Sequence, residues 1–158
     1  MTGRRLKTGL GWVAAALLVA GTLAAREEPP RPQFKYAAGT ESLSQGCAGN
    51  LEVNSEGLTF KCDGGSVSAP YSSINLMQYR SDVSSKVRKM KVQWTVRPDY
   101  VPPIFGNKRN RFFTVVFRSE GATRVLILRV HPEAMRPYLA EIDLKAEKRV
   151  EVESYEAY

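Results

Sequence analysis

Few residues in this 158-residue chain have the types and spacing that catalysis requires. His131 is the single histidine, and no cluster of cysteines or carboxylates with metal-ligand spacing accompanies it in the sequence. A serine nucleophile would need His131 as its base, but the sequence has no Gly-x-Ser-x-Gly elbow and no glycine-rich nucleotide motif. We therefore predict no catalytic residue, no metal and no cofactor, and we expect His131 to hydrogen-bond locally to backbone.

The two cysteines, Cys47 and Cys62, flank a predicted β-hairpin. If Val53 pairs with Leu58 in that hairpin, Cys47 lies diagonally across from Cys62, at a spacing that permits a disulfide. Oxidising compartments favour the bond, and two buried free thiols are the alternative. We predict a Cys47–Cys62 disulfide.

The most unusual chemical feature is a basic region from Arg80 to Arg136, with 13 Lys or Arg against four acidic residues. An apolar loop tip in this region can enter a membrane interface while adjacent cations meet anionic lipid, at about 1 kcal/mol per cation. The alternative is a solvated face that keeps the sheet soluble, with the tip folded onto the core. The candidate contacts with an anionic membrane surface or an envelope protein are Ile104, Phe105, Lys108, Arg109 and Arg111.

The N-terminal segment has the layout of a secretory signal peptide. Positive charges up to Lys7 precede the apolar run Leu10–Ala20, and small residues then lead to the charged Arg26. Together with the small residues that follow it, this run spans about 16 residues, which is shorter than the ~20 that a membrane-spanning helix needs. We assign residues 1–25 to a signal peptide, with an uncleaved anchor or a buried helix as alternatives. The chain is then exported to the periplasm or cell envelope.

The charge balance argues against nucleic acid as a partner. The formal net charge of the whole chain is +7. Loss of Arg4, Arg5 and Lys7 with the leader leaves about +4, which is only moderately basic.

Apolar periodicity predicts a domain of strands over residues 47–149, after a proline-rich linker at residues 26–46. Side chains that alternate in polarity predict strands around the turn Asn54–Gly57, where Gly57 is expected to take a positive φ. The clearest alternation is Met90–Val96. Nearly continuous apolar runs predict two further strands, Arg111–Phe117 and Arg124–Val130.

The pattern changes to helical spacing after the last long strand. Apolar residues from Met135 to Ala146 recur at the spacing of one helix face, which predicts an amphipathic helix over Pro132–Glu147, with a later start or a kink at Pro137 as the alternatives. Residues 150–158 are expected to form an acidic tail. A helix with one apolar face must cover part of the sheet.

The string Gly49–Phe60, G-x-L-x-V-x-x-x-G-L-x-F, is followed by A-P-Y-S-x-I at Ala69–Ile74. Both strings resemble the opening of GRAM-type and related bacterial PH-like domains. The resemblance covers residues 49–149 and implies a mainly β, PH-like barrel of about seven antiparallel strands in two sheets, capped by one C-terminal helix. Lipid-binding members often hold the headgroup with basic residues near the first hairpin loop, but Asn54–Gly57 contains none.

These features together predict a non-enzymatic exported binding domain at the cell envelope. Its basic surface would contact anionic lipid or a protein partner. An exported enzyme with an unrecognised site is the alternative.

Overall fold

The computed structural model describes residues 31–98 and 110–153, and these residues are organised around one eight-stranded sheet. The strands are β1 Phe34–Gly39, β2 Ala48–Val53, β3 Gly57–Cys62, β4 Gly65–Pro70, β5 Ile74–Arg80, β6 Arg111–Ser119, β7 Ala122–Val130 and β8 Glu151–Val152. The helices are α1 Ser85–Arg88 and α2 Pro132–Lys145, with a short 3-10 turn at Tyr71–Ser73. The predicted mainly β fold with one C-terminal helix is confirmed at this level.

The strands are ordered β4-β3-β2-β1-β7-β6-β5-β8 across the sheet. Two antiparallel meanders, β1 to β4 and β5 to β7, join where β1 pairs with β7. The short strand β8 pairs with β5 in parallel, so the expectation of only antiparallel strands is wrong for this pair. Residues 151–152, expected in an acidic tail, thus belong to the edge of the sheet.

Strand β1 corrects the linker expected over residues 26–46. It lies in the middle of the sheet, and its residues Phe34 and Tyr36 are fully buried. The strand is hard to detect in the sequence because its pairing with β7 shifts register between Tyr36 and Ala38. Such an irregularity breaks the period-two pattern by which strands are recognised.

The first hairpin has the predicted register, with Val53 opposite Leu58. The side-chain oxygen of Asn54 accepts hydrogen bonds from the amides of Glu56 (2.8 Å) and Gly57 (2.9 Å) and so closes the turn. The positive φ expected at Gly57 is not found. Glycine is needed there for a different reason, because a Cβ atom would collide with the carbonyl oxygen of Ala69 in β4.

The predicted disulfide between Cys47 and Cys62 is present, with its Cα atoms 6.0 Å apart. Gly49 is the direct partner of Cys62 in the ladder, so Cys47 occupies the diagonal position expected from the sequence. The bond joins Cys47, directly before β2, to Cys62 at the end of β3.

One face of the sheet and helix α2 build the main core. The helix contributes the buried side chains Met135, Leu139 and Ile142. Phe34 meets Tyr138 of α2 edge to face, with ring centroids 5.0 Å apart. The helix begins at Pro132 as predicted and continues through Pro137.

The segment Met90–Val96, predicted as the clearest strand, is not a strand. Its residues do alternate between half-buried and exposed, but its one ladder contact is an isolated bridge between Val96 and Gly39. Alternation requires only that one side of an extended chain be packed, and here the packing partner is a sheet face. We call residues 83–97 the strap, because they lie over the face of the sheet that α2 does not cover.

Under the strap lies a second apolar cluster. The strap contributes Val83 and Val87, which pack in one cluster with Phe112 and Val116 of β6 and Ile127 of β7. Strands β6 and β7 are therefore buried on both faces, which explains their almost continuous apolar sequences.

Within residues 31–98 and 110–153, no helix is long and apolar enough to cross a membrane. The predicted signal peptide, residues 1–25, lies outside the described residues. The disulfide is compatible with export, the compartment that the leader predicts.

Replacing both cysteines by serine should lower the free energy of unfolding by about 3 kcal/mol, because the bond closes a loop of sequence separation 15. Denaturant unfolding of the variant and of wild type measures this difference. Mass spectrometry of protein isolated without reductant should find the bond intact, and two free thiols would contradict the prediction.

The substitution Gly57→Ala should destabilise the domain by about 1–3 kcal/mol, because β4 has no room for the added methyl group. The matched control is Gly64→Ala, whose Cβ atom would meet its nearest neighbour, Cys47 Sγ, at an ordinary 3.4 Å. The midpoints of urea unfolding should differ clearly between the two variants. Equal midpoints would show that the approach of β3 to β4 does not require glycine.

Candidate functional site

The candidate site is the solvent-facing side of the strap. It carries five exposed cations and, between residues 83 and 97, no Asp or Glu. The five cations are Lys86, Arg88, Lys89, Lys91 and Arg97. Because the apolar residues of the strap face the sheet, its basic residues face water.

The strap begins with a capped helical turn. Ser84 is the N-cap of α1, and its hydroxyl accepts from the amide of Val87 at 3.4 Å. The same hydroxyl donates to the side-chain oxygen of Gln78 in β5 at 2.7 Å. Val87, which is fully buried, then anchors the turn in the apolar cluster below.

The other end of the strap is held by backbone hydrogen bonds to the end of β1. Val96 and Gly39 exchange amide-to-carbonyl bonds of 3.0 and 3.1 Å, and the Thr95 hydroxyl donates to the carbonyl of Thr40 at 3.1 Å. The strap is thus fixed at both ends, and its basic face has a defined position on the sheet.

The five strap cations are not neutralised by the part of the chain that the structure describes. None of them forms an ion pair with another described residue. Elsewhere the domain does pair exposed charges, for example Lys61 with Glu52 at 2.9 Å. Within residues 31–98 and 110–153, the strap therefore presents positive charge that no ion pair compensates.

Two further cations extend the basic surface onto the sheet. Lys35 of β1 and Arg129 of β7 are direct partners in the ladder. Their strand neighbours Phe34 and Leu128 belong to the main core, so alternation directs both cations to the strap side of the sheet. Like charges directly opposite each other are unfavourable, and neither cation forms an ion pair with a described residue. A bound anion would relieve this repulsion.

A groove of about 350 Å³ lies between the strap and the β6–β7 hairpin. Its walls are about equally polar and apolar, and its cations are Lys91 and Arg124. Arg124 lies 3.9 Å from the carboxylate of Glu120, which is itself exposed. The groove is large enough for a small anionic group beside the strap.

Arg111, the one described residue of the predicted membrane contact, has a partner within the domain. It is half-buried, with its Nη1 atom 3.8 Å from Glu153 Oε2. Its guanidinium carbon lies 6.0 Å from the centroid of the Tyr79 ring. Burial raises the pKa of Tyr79 to about 12, although the charge of Arg111 acts in the opposite direction.

The rest of the predicted contact lies outside the described residues. It consists of Ile104, Phe105, Lys108 and Arg109. Their contact with a membrane, and that of Arg111, stays a prediction.

The single histidine has a structural role at the start of α2. His131 is the N-cap residue, and its Nδ1 atom accepts from the amide of Glu133 at 3.3 Å. The expected local hydrogen bond to backbone is confirmed. No group of three or more His, Cys, Asp or Glu within the described ranges could hold a metal ion.

Sequence reasoning found the basic region but did not resolve its geometry. Lys89 and Lys91 were expected on the exposed face of a ladder strand, whereas they lie on a segment outside the ladder. The pair Lys35 and Arg129 was missed because residues 26–46 were expected to be linker. The alternation of Phe34, Lys35 and Tyr36 was the available signal, but it is only three residues long.

Comparison with protein-family models finds no matching family, and comparison with curated proteins finds no matching protein. The function must therefore be inferred from the geometry of this chain.

The substitution Val87→Ala should loosen the strap, because it removes a fully buried anchor at a cost of about 1–3 kcal/mol. Trypsin should then cleave at the strap lysines several times faster than in wild type. The matched control is Val67→Ala in β4, the same change in the main core. If both variants were cleaved at the strap at the same rate, the strap would not be held by its own apolar cluster.

Proposed function

We propose that this chain is a non-catalytic, exported PH-like domain of the cell envelope that binds the anionic face of a membrane through its strap. The observation that carries the proposal is the set of exposed strap cations without an ion-pair partner among the described residues. A positively charged surface attracts anionic lipid headgroups without requiring a shaped pocket.

The strand order supports the PH-like part of the proposal. Two antiparallel meanders share the junction of β1 and β7, and the register shift after Tyr36 offers a place for the sheet to bend. Strand β4 also comes close to β6, although the two are far apart in the hydrogen-bonded order. A sheet that curls until these strands approach each other, with α2 against its inner face, is a partly closed barrel.

Two features support export to the envelope. The leader has the layout of a signal peptide, and the Cys47–Cys62 disulfide suits an oxidising compartment.

The expected attachment is electrostatic and therefore sensitive to salt. Each basic residue near an anionic membrane contributes about 1 kcal/mol, and exposed charges are screened beyond ~10 Å at 0.1 M salt. The predicted apolar tip at Ile104 and Phe105 would add a contribution that salt does not remove.

The proposal is tested by co-sedimentation with neutral and anionic phospholipid vesicles at two salt concentrations. Wild type should bind anionic vesicles at low salt, bind them more weakly at high salt, and ignore neutral ones. The double substitution Lys89→Glu and Lys91→Glu should reduce binding to anionic vesicles at least tenfold, because it replaces attraction by repulsion.

The matched control is the double substitution Arg136→Glu and Arg149→Glu. It changes the net charge by the same amount, on exposed residues that lie outside the strap and form no ion pair with a described residue. This control should keep most of the binding. Equal loss in both variants would mean that overall charge, and not the strap, drives attachment. If wild type ignored anionic vesicles, an acidic envelope protein would become the better candidate partner.

A further inference from the structure

Residues 151–153, which we call the tail, lie along the edge of β5 that faces away from β6. Strand β8 lies parallel to β5, with Glu151 opposite Gln78 and Val152 opposite Tyr79. The side-chain amide of Gln78 donates to Glu151 Oε2 at 2.7 Å. The acidic side chain of Glu151 is thus bound by Gln78, a buried polar residue of the sheet.

A second acidic side chain is held by several groups at once. Glu153 Oε2 accepts from the Ser81 amide at 2.9 Å and from the Ser81 hydroxyl at 2.7 Å. The cations of Arg80 and Arg111 lie 3.7 and 3.8 Å from the same carboxylate. The hydrogen bonds from Ser81, first that of its amide, lower the pKa of Glu153, and the nearby arginines act in the same direction.

Val152, which lies between Glu151 and Glu153, faces the opposite side of the strand. Val152 is half-buried and packs against the main core. Successive residues of a strand face opposite sides, so Glu151 and Glu153 reach the polar groups on one side of the edge while Val152 reaches the core on the other. The edge of β5 therefore binds three consecutive residues of an extended chain, which are an acid, an aliphatic residue and a second acid.

The contact of residues 151–153 with the sheet is small, so a partner segment that makes the same hydrogen bonds can replace it. Only two of its residues join the ladder, and Glu153 is exposed. Ion pairs between exposed groups contribute about 0–1 kcal/mol each. Val150, which is buried in the main core, anchors the chain just before the tail and does not need to move.

We propose that the edge of β5, with Gln78, Ser81, Arg80 and Arg111, is a recognition site for an extended acidic segment of a partner protein. The segment adds a parallel strand to β5 and carries the pattern acid, aliphatic, acid. In the absence of the partner, residues 151–153 of the same chain fill the site. The site is separate from the strap and does not depend on membrane binding.

The chemistry of the site favours a peptide over a free anion. A phosphate or a lipid headgroup would use only the groups around Ser81. It would leave the Gln78 amide, the edge of β5 and the contact made by Val152 without a partner. A peptide strand satisfies all three, as the tail does.

The tethered tail competes with any partner. A segment joined by a short linker has an effective concentration in the millimolar range, so a free peptide must overcome this advantage. Weakening the tail should therefore strengthen binding of a partner peptide, whereas damage to the site itself should abolish it.

The test uses the full-length protein and a fluorescent peptide with the sequence of residues 149–154. Fluorescence anisotropy measures its dissociation constant for wild type and for the double variant Glu151→Ala and Glu153→Ala. The double variant should bind the peptide at least tenfold more tightly than wild type. The same peptide with both acids changed to glutamine should bind at least tenfold more weakly.

Two further variants separate this site from the strap. Adding Arg80→Gln to the double variant should weaken peptide binding about fivefold, the upper end of what one exposed ion pair contributes. Adding Lys89→Glu and Lys91→Glu instead should leave it within about twofold at 0.3 M salt, where distant charges are screened. Loss of vesicle binding in the strap variant with retained peptide binding would distinguish the two surfaces.

A second measurement covers the case in which the double variant does not fold. Saturating peptide should displace the tail of wild type and accelerate its digestion by carboxypeptidase. The proposal is overturned if the peptide neither binds the double variant more tightly nor accelerates digestion of the wild-type tail.

Discussion

Burial of the central strands on both faces is the constraint on which the rest of this structure depends. Strands β6 and β7 place apolar side chains on both sides of the sheet. Helix α2 covers one side, and the chain must supply a second cover for the other. The strap is that cover, and its length and position follow from the need to keep Phe112, Val116 and Ile127 away from water.

The same constraint produces the basic surface. A segment with one side against a sheet must turn its alternate residues to solvent, and in the strap those residues include five cations. The strap is not in the ladder, so it lacks the cross-strand neighbours that could supply acidic partners. By contrast, Lys61 in β3 has Glu52 on the adjacent strand and is neutralised by it. Position outside the ladder is thus the physical reason why the strap cations have no ion-pair partner among the described residues.

The side chain of Gln78 connects two parts of the chain that are distant in sequence. Gln78 donates to Glu151 of β8 and accepts from Ser84 at the start of the strap. Buried polar groups need hydrogen-bond partners, and Gln78 meets this need with two segments that are distant in sequence. The strap and the tail are therefore positioned by one side chain, although they present surfaces of opposite charge.

The hydrogen-bonding and packing preferences of short segments were readable from the sequence. The pairing of Val53 with Leu58, the disulfide that follows from it, the apolar strands β6 and β7, and helix α2 with its His131 cap all depend on neighbours within one hairpin or one helix. These local patterns can be recognised without the tertiary structure, because the periodicity of apolar residues and the choice of turn residues depend on only a few neighbouring positions.

Features that depend on distant partners were decided by the tertiary structure alone. Strand β1 is central because β7, about 90 residues later, pairs with it, and the register shift after Tyr36 hides its pattern. Met90–Val96 has the pattern of a strand, but its backbone joins the sheet only at the bridge between Val96 and Gly39, and the rest of the segment packs by its side chains. Glycine is required at Gly57 by β4 and not by its own turn. In each case the deciding contact comes from another strand or segment, and only the folded chain brings that partner into place.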